Sequence, residues 1–111
     1  MSKRNYVIEN FTPLTTLKHT CSDTVETLIA DVTGFVAQSA KHNVVRVTIG
    51  CENNDIRFSF GADATQAGLG QVLTAGSTLV LTGHKMLIDM RFINKTNGSD
   101  AVLQITPEIS V

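Results

Sequence analysis

The 111-residue sequence has no tryptophan and one tyrosine, Tyr6, and aromatic residues make up only 5% of it. Sugar-binding platforms and stacking surfaces for single-stranded nucleic acid are built from exposed rings. A carbohydrate-binding module and an oligonucleotide-binding barrel therefore have little to work with, and Phe58 and Phe60 are expected in the core phase of a strand. Charge is scarce too. Charged residues are 17% of the chain, against about 25% in an average soluble domain. Nine basic residues nearly balance ten acidic ones, for a formal net charge of -1. Such a balance writes in no general attraction to nucleic acid or to an anionic membrane.

No stretch approaches the roughly 20 apolar residues of a membrane span, and the basic start MSKRN is not followed by the apolar run of a signal peptide. The two cysteines, Cys21 and Cys51, fit no metal or redox spacing. In a chain made in a reducing cytosol they are expected as free thiols. A chain of this length makes one domain that buries roughly two thirds of its unfolded surface, without a disulfide or metal staple. Its weakly charged surface, rich in Thr, Ser and Asn, suits a protein covered by neighbouring subunits.

What the sequence does have is alternation. In VVRVTIG, Val45, Val47 and Ile49 fall on one face and Arg46 and Thr48 on the other, and DIRFSFG sets Ile56, Phe58 and Phe60 inward. The short link CENND predicts a hairpin between them. STLVLTG reads as a third strand and HKMLIDMRFIN as a fourth, with Met86, Ile88, Met90 and Phe92 in step. Asn97-Gly98 predicts a closing hairpin into AVLQIT. RNYVIEN, TTLKHT and TVETLIAD read as further, weaker strands, and DVTGFVAQSAK as a loop or a single helical turn. The fold class expected is all-β: a single antiparallel β-sandwich or jelly-roll-like barrel with little helix. Residues 1–13 are a candidate N-terminal arm and residues 14–111 the sandwich domain.

Groups that could do chemistry are scattered. Gly68-Leu69-Gly70 begins a dinucleotide fingerprint, but the third glycine is replaced by Leu73. Asp89 stands near the right distance for the acidic residue, yet strands are expected where the pattern needs a helix. A surface turn using Gly61, Gly68 and Gly70 is the expectation. His19, His42, His84, Cys21 and Cys51 offer metal-ligating atoms, and on a strand His19 and Cys21 share a face, but no further ligand is signalled. Ser59 is on a strand and not on a nucleophile elbow. Asp55, Asp63 and Asp89 are carboxylates with no spacing that brings two together. Asn10, Asn94 and Asn97 head Asn-x-Ser/Thr triplets, and turn chemistry accounts for the last two better than glycosylation. No catalytic, cofactor-binding or metal site is assigned, and no cofactor.

Residues 44–109 resemble a group of small phage and prophage virion proteins. The carriers are Arg57 and Phe58, the GADAT of Gly61 to Thr65, the LTAGSTLVLTG of Leu73 to Gly83, Arg91 to Ile93, and Asp100 to Thr106. The resemblance implies an all-β module and a non-enzymatic role: a capsid decoration or cement protein that binds the major capsid protein or other virion proteins as a homo-oligomer, with a trimer favoured. It would be made in the host cytoplasm and reside on the capsid surface, without nucleic-acid or membrane partners. A head-to-tail adaptor or a tail or fibre attachment module is the alternative, and a carbohydrate-binding module the alternative of another class.

Overall fold

The computed structural model describes residues 11–36 and 43–110. Alternation of inward apolar and outward polar residues organises two antiparallel sheets. Sheet A holds β1 (Phe11–Pro13), β2 (Leu17–Cys21), β4 (Val44–Glu52), β7 (Thr78–Thr82) and β9 (Ala101–Ser110). Sheet B holds β3 (Glu26–Thr27), β5 (Ile56–Phe60), β6 (Gln71–Leu73) and β8 (Met90–Asn94). Two short helices, α1 (Leu28–Asp31) and α2 (His84–Asp89), lie at one end of the sandwich. This is the expected all-β sandwich.

The pairings are nested. β2 pairs β9, β3 pairs β8, β4 pairs β7 and β5 pairs β6, so the chain is one long antiparallel ribbon, and the β9·β4 and β8·β5 contacts wrap it into two sheets. That wrapping is a jelly roll. Val47, Ile49 and Cys51 of β4 and Leu103 and Ile105 of β9 face Leu28, Ile56, Met90 and Phe92 across a core in which each is almost wholly buried. Each large side chain so buried stabilises the fold by about 1.5–3 kcal/mol.

Jelly-roll wrapping overturns both expected hairpins. β4 and β5 lie in different sheets, as do β8 and β9. Cys51 and Ile56 both point inward, and so do Phe92 and Leu103. A tight hairpin would pair the strands side by side, whereas here each loop spans the roughly 10 Å between sheets. Turn chemistry marks the bend and not what lies beyond it.

Other expectations are corrected by register. HKMLIDMRFIN is not one strand: residues 84–89 are helical, Leu87 N donates to Gly83 O, and Lys85 pairs with Asp89 at 2.8 Å in an i, i+4 contact. Leu87 and Met90 face the core, while Met86 and Ile88 are exposed. An irregularity between Val44 and Arg46 turns Val44 inward in place of Val45. Phe60, at the end of β5, is exposed instead of buried. Gln71–Leu73, just after the expected glycine turn, is the edge strand β6. TVETLIAD is strand only at Glu26–Thr27 before α1 takes over, with Thr27 Oγ1 accepting from Ala30 N. Of DVTGFVAQSAK, Val32 and Phe35 enter the core and residues 37–41 lie outside the described residues, as does RNYVIEN up to residue 10.

β9 runs past the expected end at Thr106 through Pro107, which sits where its missing N–H is harmless. β2 pairs with β9 up to Ile105 and β1 from Glu108 on, and in the gap Leu14 N donates to Pro107 O at 2.8 Å. In antiparallel pairing a residue's N–H and C=O point to the same side. The absent donor of Pro107 thus faces the break between two strands. Residues 11–13 belong to sheet A, and residues 1–10 of the candidate arm lie outside the described residues.

Candidate functional site

The loop from Gly61 to Gly70 folds back over the outer face of sheet B. Arg57, on β5, donates from Nε to Gln66 O at 3.2 Å and from Nη1 to Gly70 O at 3.0 Å. Arg91 approaches Asp63 at 3.6 Å, and Thr65 Oγ1 accepts from Gly68 N and Leu69 N. Ala64 and Ile93 are buried beneath the loop's return. The carbonyls are turned toward Arg57, so the loop is held by a cation and is no cradle for an anion. Gly70 has φ +119°, and a Cβ there would stand 2.9 Å from Phe58 O, while Gly68 has open space and no positive φ. Of the two glycines, only Gly70 is required by the backbone.

Behind this loop lies a polar hub. Asn94, at the end of β8, is 0% exposed; its Nδ2 donates to Asp23 Oδ1 at 2.7 Å and its Oδ1 accepts from Gln66 Nε2 at 2.5 Å. Asp23 Oδ1 also accepts from Gly98 N at 2.8 Å. These bonds, Asn94's first, hold the Asp23 carboxyl below its ordinary range. Asn94 is thus a core tie between three loops, not a turn residue, whereas Asn97 is exposed. Asn10 lies outside the described residues.

The candidate chemical groups are distributed over different parts of the fold. His19 and Cys21 do share the inward face of β2, but His19 Nε2 meets Glu26 Oε1 at 2.8 Å and its ring meets Phe92 edge to face. His84 is on α2 and His42 lies outside the described residues. Among the described residues no group of three or more His, Cys, Asp or Glu is placed to hold a metal ion. Both cysteines are buried and free. Burial, with the nearby Glu26 charge, pushes the Cys21 thiol up to about 12, and burial, with Asp55, pushes Cys51 to about 11. Ser59 Oγ donates to Ala62 O at 2.6 Å. Asp55 accepts from Ala75 N, Asp63 faces Arg91 and Asp89 faces Lys85, three carboxylates with three separate partners.

Two surfaces remain. The outer face of sheet A carries Thr48, Thr78, Thr82, Thr106, Val80 and Val102. Its buried Glu108 is neutralised by Arg46 Nε at 2.5 Å, with Thr48 Oγ1 also donating and Phe11 lying 3.8 Å over the guanidinium. No signal in the sequence marks Glu108, because its partners are far off in the chain. The second surface is the helical end, where β5 finishes, β8 begins and α1 meets α2. There Ile29, Phe60, Met86 and Ile88 stand between 38% and 43% exposed. The opposite end is polar and tied by loop bonds, Lys95 N to Asp55 O and Asn54 Nδ2 to Asp100 O among them. A shallow cavity of about 230 Å³ between Phe58, Phe60, Leu69 and Gln71 lies beside the helical end.

Compared with protein-family models, curated proteins and solved structures, the chain matches none.

Proposed function

We propose that the protein is a capsid decoration or cement protein that binds the phage head shell as an oligomer and reinforces it. The observation that carries this reading is the gathering of exposed apolar side chains, Ile29, Phe60, Met86 and Ile88, at the helical end of an otherwise sparsely charged sandwich. Grouped apolar exposure marks surfaces that meet other proteins. The resemblance of residues 44–109 to small virion proteins points the same way, and its carriers have structural work in this fold: Arg57 and Asp63 fasten a loop, and Leu81 and Phe92 fill the core.

Reinforcement would be mechanical. The apolar end docks on the shell, and several copies acting together raise the avidity by orders of magnitude without new chemistry. Binding to emptied heads of the phage that encodes the chain tests this. The wild-type protein is expected to bind and to delay thermal disruption of the shell, and a Met86→Glu, Ile88→Glu double variant to bind at least tenfold more weakly. Shells that neither bind nor gain stability would remove the cement reading. Binding confined to a single vertex would favour the head-to-tail adaptor.

A further inference from the structure

The free edge of sheet A is chemically unlike the other edges among the described residues. β4 and β7 pair in the register Arg46↔Thr82 to Gly50↔Thr78, with Gly83 N donating to Val45 O and Cys51 N to Ser77 O. Hydrogen-bonded and non-hydrogen-bonded pairs alternate in an antiparallel ladder. Ser77, Leu79, Leu81 and Gly83 therefore face β4, and Thr78, Val80 and Thr82 turn their N–H and C=O groups away from it. Among the described residues no strand takes these groups up.

The other edges are blunted by devices that oppose pairing. β1 is three residues long and ends in Pro13, β2 sets an exposed Lys18 within its five residues, β3 has two residues and β6 three. From Ser77 to Gly83, β7 has no charge, no proline and no bulge, and Val80 at its centre is 50% exposed.

We propose that β7 is a self-pairing edge, at which a second copy of this chain adds its own β7 antiparallel about a two-fold axis through Val80. In that register Val80 faces Val80 and Thr78 faces Thr82, so the three outward-turned residues of each copy meet those of the other. A one-residue slip brings the wrong backbone groups together, and a two-residue slip leaves some unpaired. The contact is isologous and closes on itself. The two Val80 side chains meet on the outer face of sheet A, where they cover each other's apolar surface and join the Thr-rich faces of two copies. The unit formed is a dimer, in place of the trimer the resemblance suggests. The proposal goes beyond capsid binding and does not depend on it.

Sedimentation equilibrium of the full chain over a concentration series tests it, with hydrogen exchange measured at the same concentrations. The mass is expected to rise from 12.0 kDa toward twice that value. Exchange at Thr78, Val80 and Thr82 is expected to slow as the dimer forms. Val80→Lys sets like charges face to face and is expected to raise the dimer dissociation constant more than tenfold with the circular dichroism spectrum retained. Gln104→Lys, on the same face but two strands inward, is expected to leave it unchanged. The proposal is overturned by a wild-type chain that stays monomeric, by a trimer whose mass Val80→Lys does not alter, or by β7 amides whose exchange ignores concentration. The exchange measurement needs no variant, so a misfolded Val80→Lys would not shelter the idea. A β7 dimer that fails to bind emptied heads would remove the capsid reading alone.

Discussion

Asn94 and Asp23 are joined by a 2.7 Å bond from Nδ2 to Oδ1, and through it the end of β8 holds the loops that contain Asp23, Gln66 and Gly98. Asn94→Ala is expected to leave Gln66 and Asp23 short of partners. Asp23 is exposed and Gln66 half-buried, so water takes up part of what they lose, and the destabilisation comes from the bonds that tied the three loops to the buried Asn94. Urea denaturation should show a lowered midpoint, and hydrogen exchange should quicken in residues 61–70 before the strands.

The same contact makes stability depend on acid. The Asp23 carboxyl is held below its ordinary value of 3.8 by Asn94's side chain, then by Gly98 N–H. A depressed folded-state pKa contributes stability that is present above the unfolded value and is lost as pH falls through the folded one. The stability difference between wild type and Asp23→Asn should be constant from pH 5 to 7 and shrink on acidification below 3.8. A difference that stays level through that range would contradict the assignment.

Cys21 and Cys51 should remain thiols that do not react until the protein unfolds. Cys21 pairs with Ala101 and Cys51 with Leu103, on opposite sides of β9. Two strand spacings, roughly 9–10 Å, and a two-residue offset along β9 therefore separate them, beyond the roughly 7 Å Cα limit for a disulfide. With the thiols pushed up to about 12 and about 11, almost no thiolate exists at pH 8. A thiol-reactive chromophore should report two groups in denaturant and close to none without it.

Gly68 and Gly70 should respond oppositely to alanine. At Gly70 the positive φ and the approach of Phe58 O resist a Cβ, and the strain is worth about 1–3 kcal/mol. Gly68→Ala meets open space and should be neutral or slightly stabilising. Thermal denaturation of the two variants separates them.

Much of the architecture was legible because β4, β5, β7 and β9 each keep an alternating inward set. Val47 with Ile49 and Leu103 with Ile105 are examples that local pattern alone identifies. Partnership was less legible. Asn97-Gly98 and Asn53-Asn54 mark bends, but whether the next strand lies beside the last or across the core depends on the whole ribbon. Met86 and Ile88 imitate a strand because two apolar residues of the helix happen to fall in step with Met90 and Phe92 of β8, and only the inward spacing of Leu87 and Met90 distinguishes the two. Asn94 resembled a turn former because its partners, Asp23 and Gln66, are remote in sequence. The suggestive glycines of GLGQVLTAG are explained by a loop clamped to Arg57 and by the start of β6.

An image of the phage head at a resolution that separates small domains tests the central claim most directly. The account predicts this sandwich in many copies over the outer shell, with its helical end and Met86 and Ile88 against the capsid lattice. Its absence from the head, or its confinement to one ring at a portal vertex, would contradict that claim.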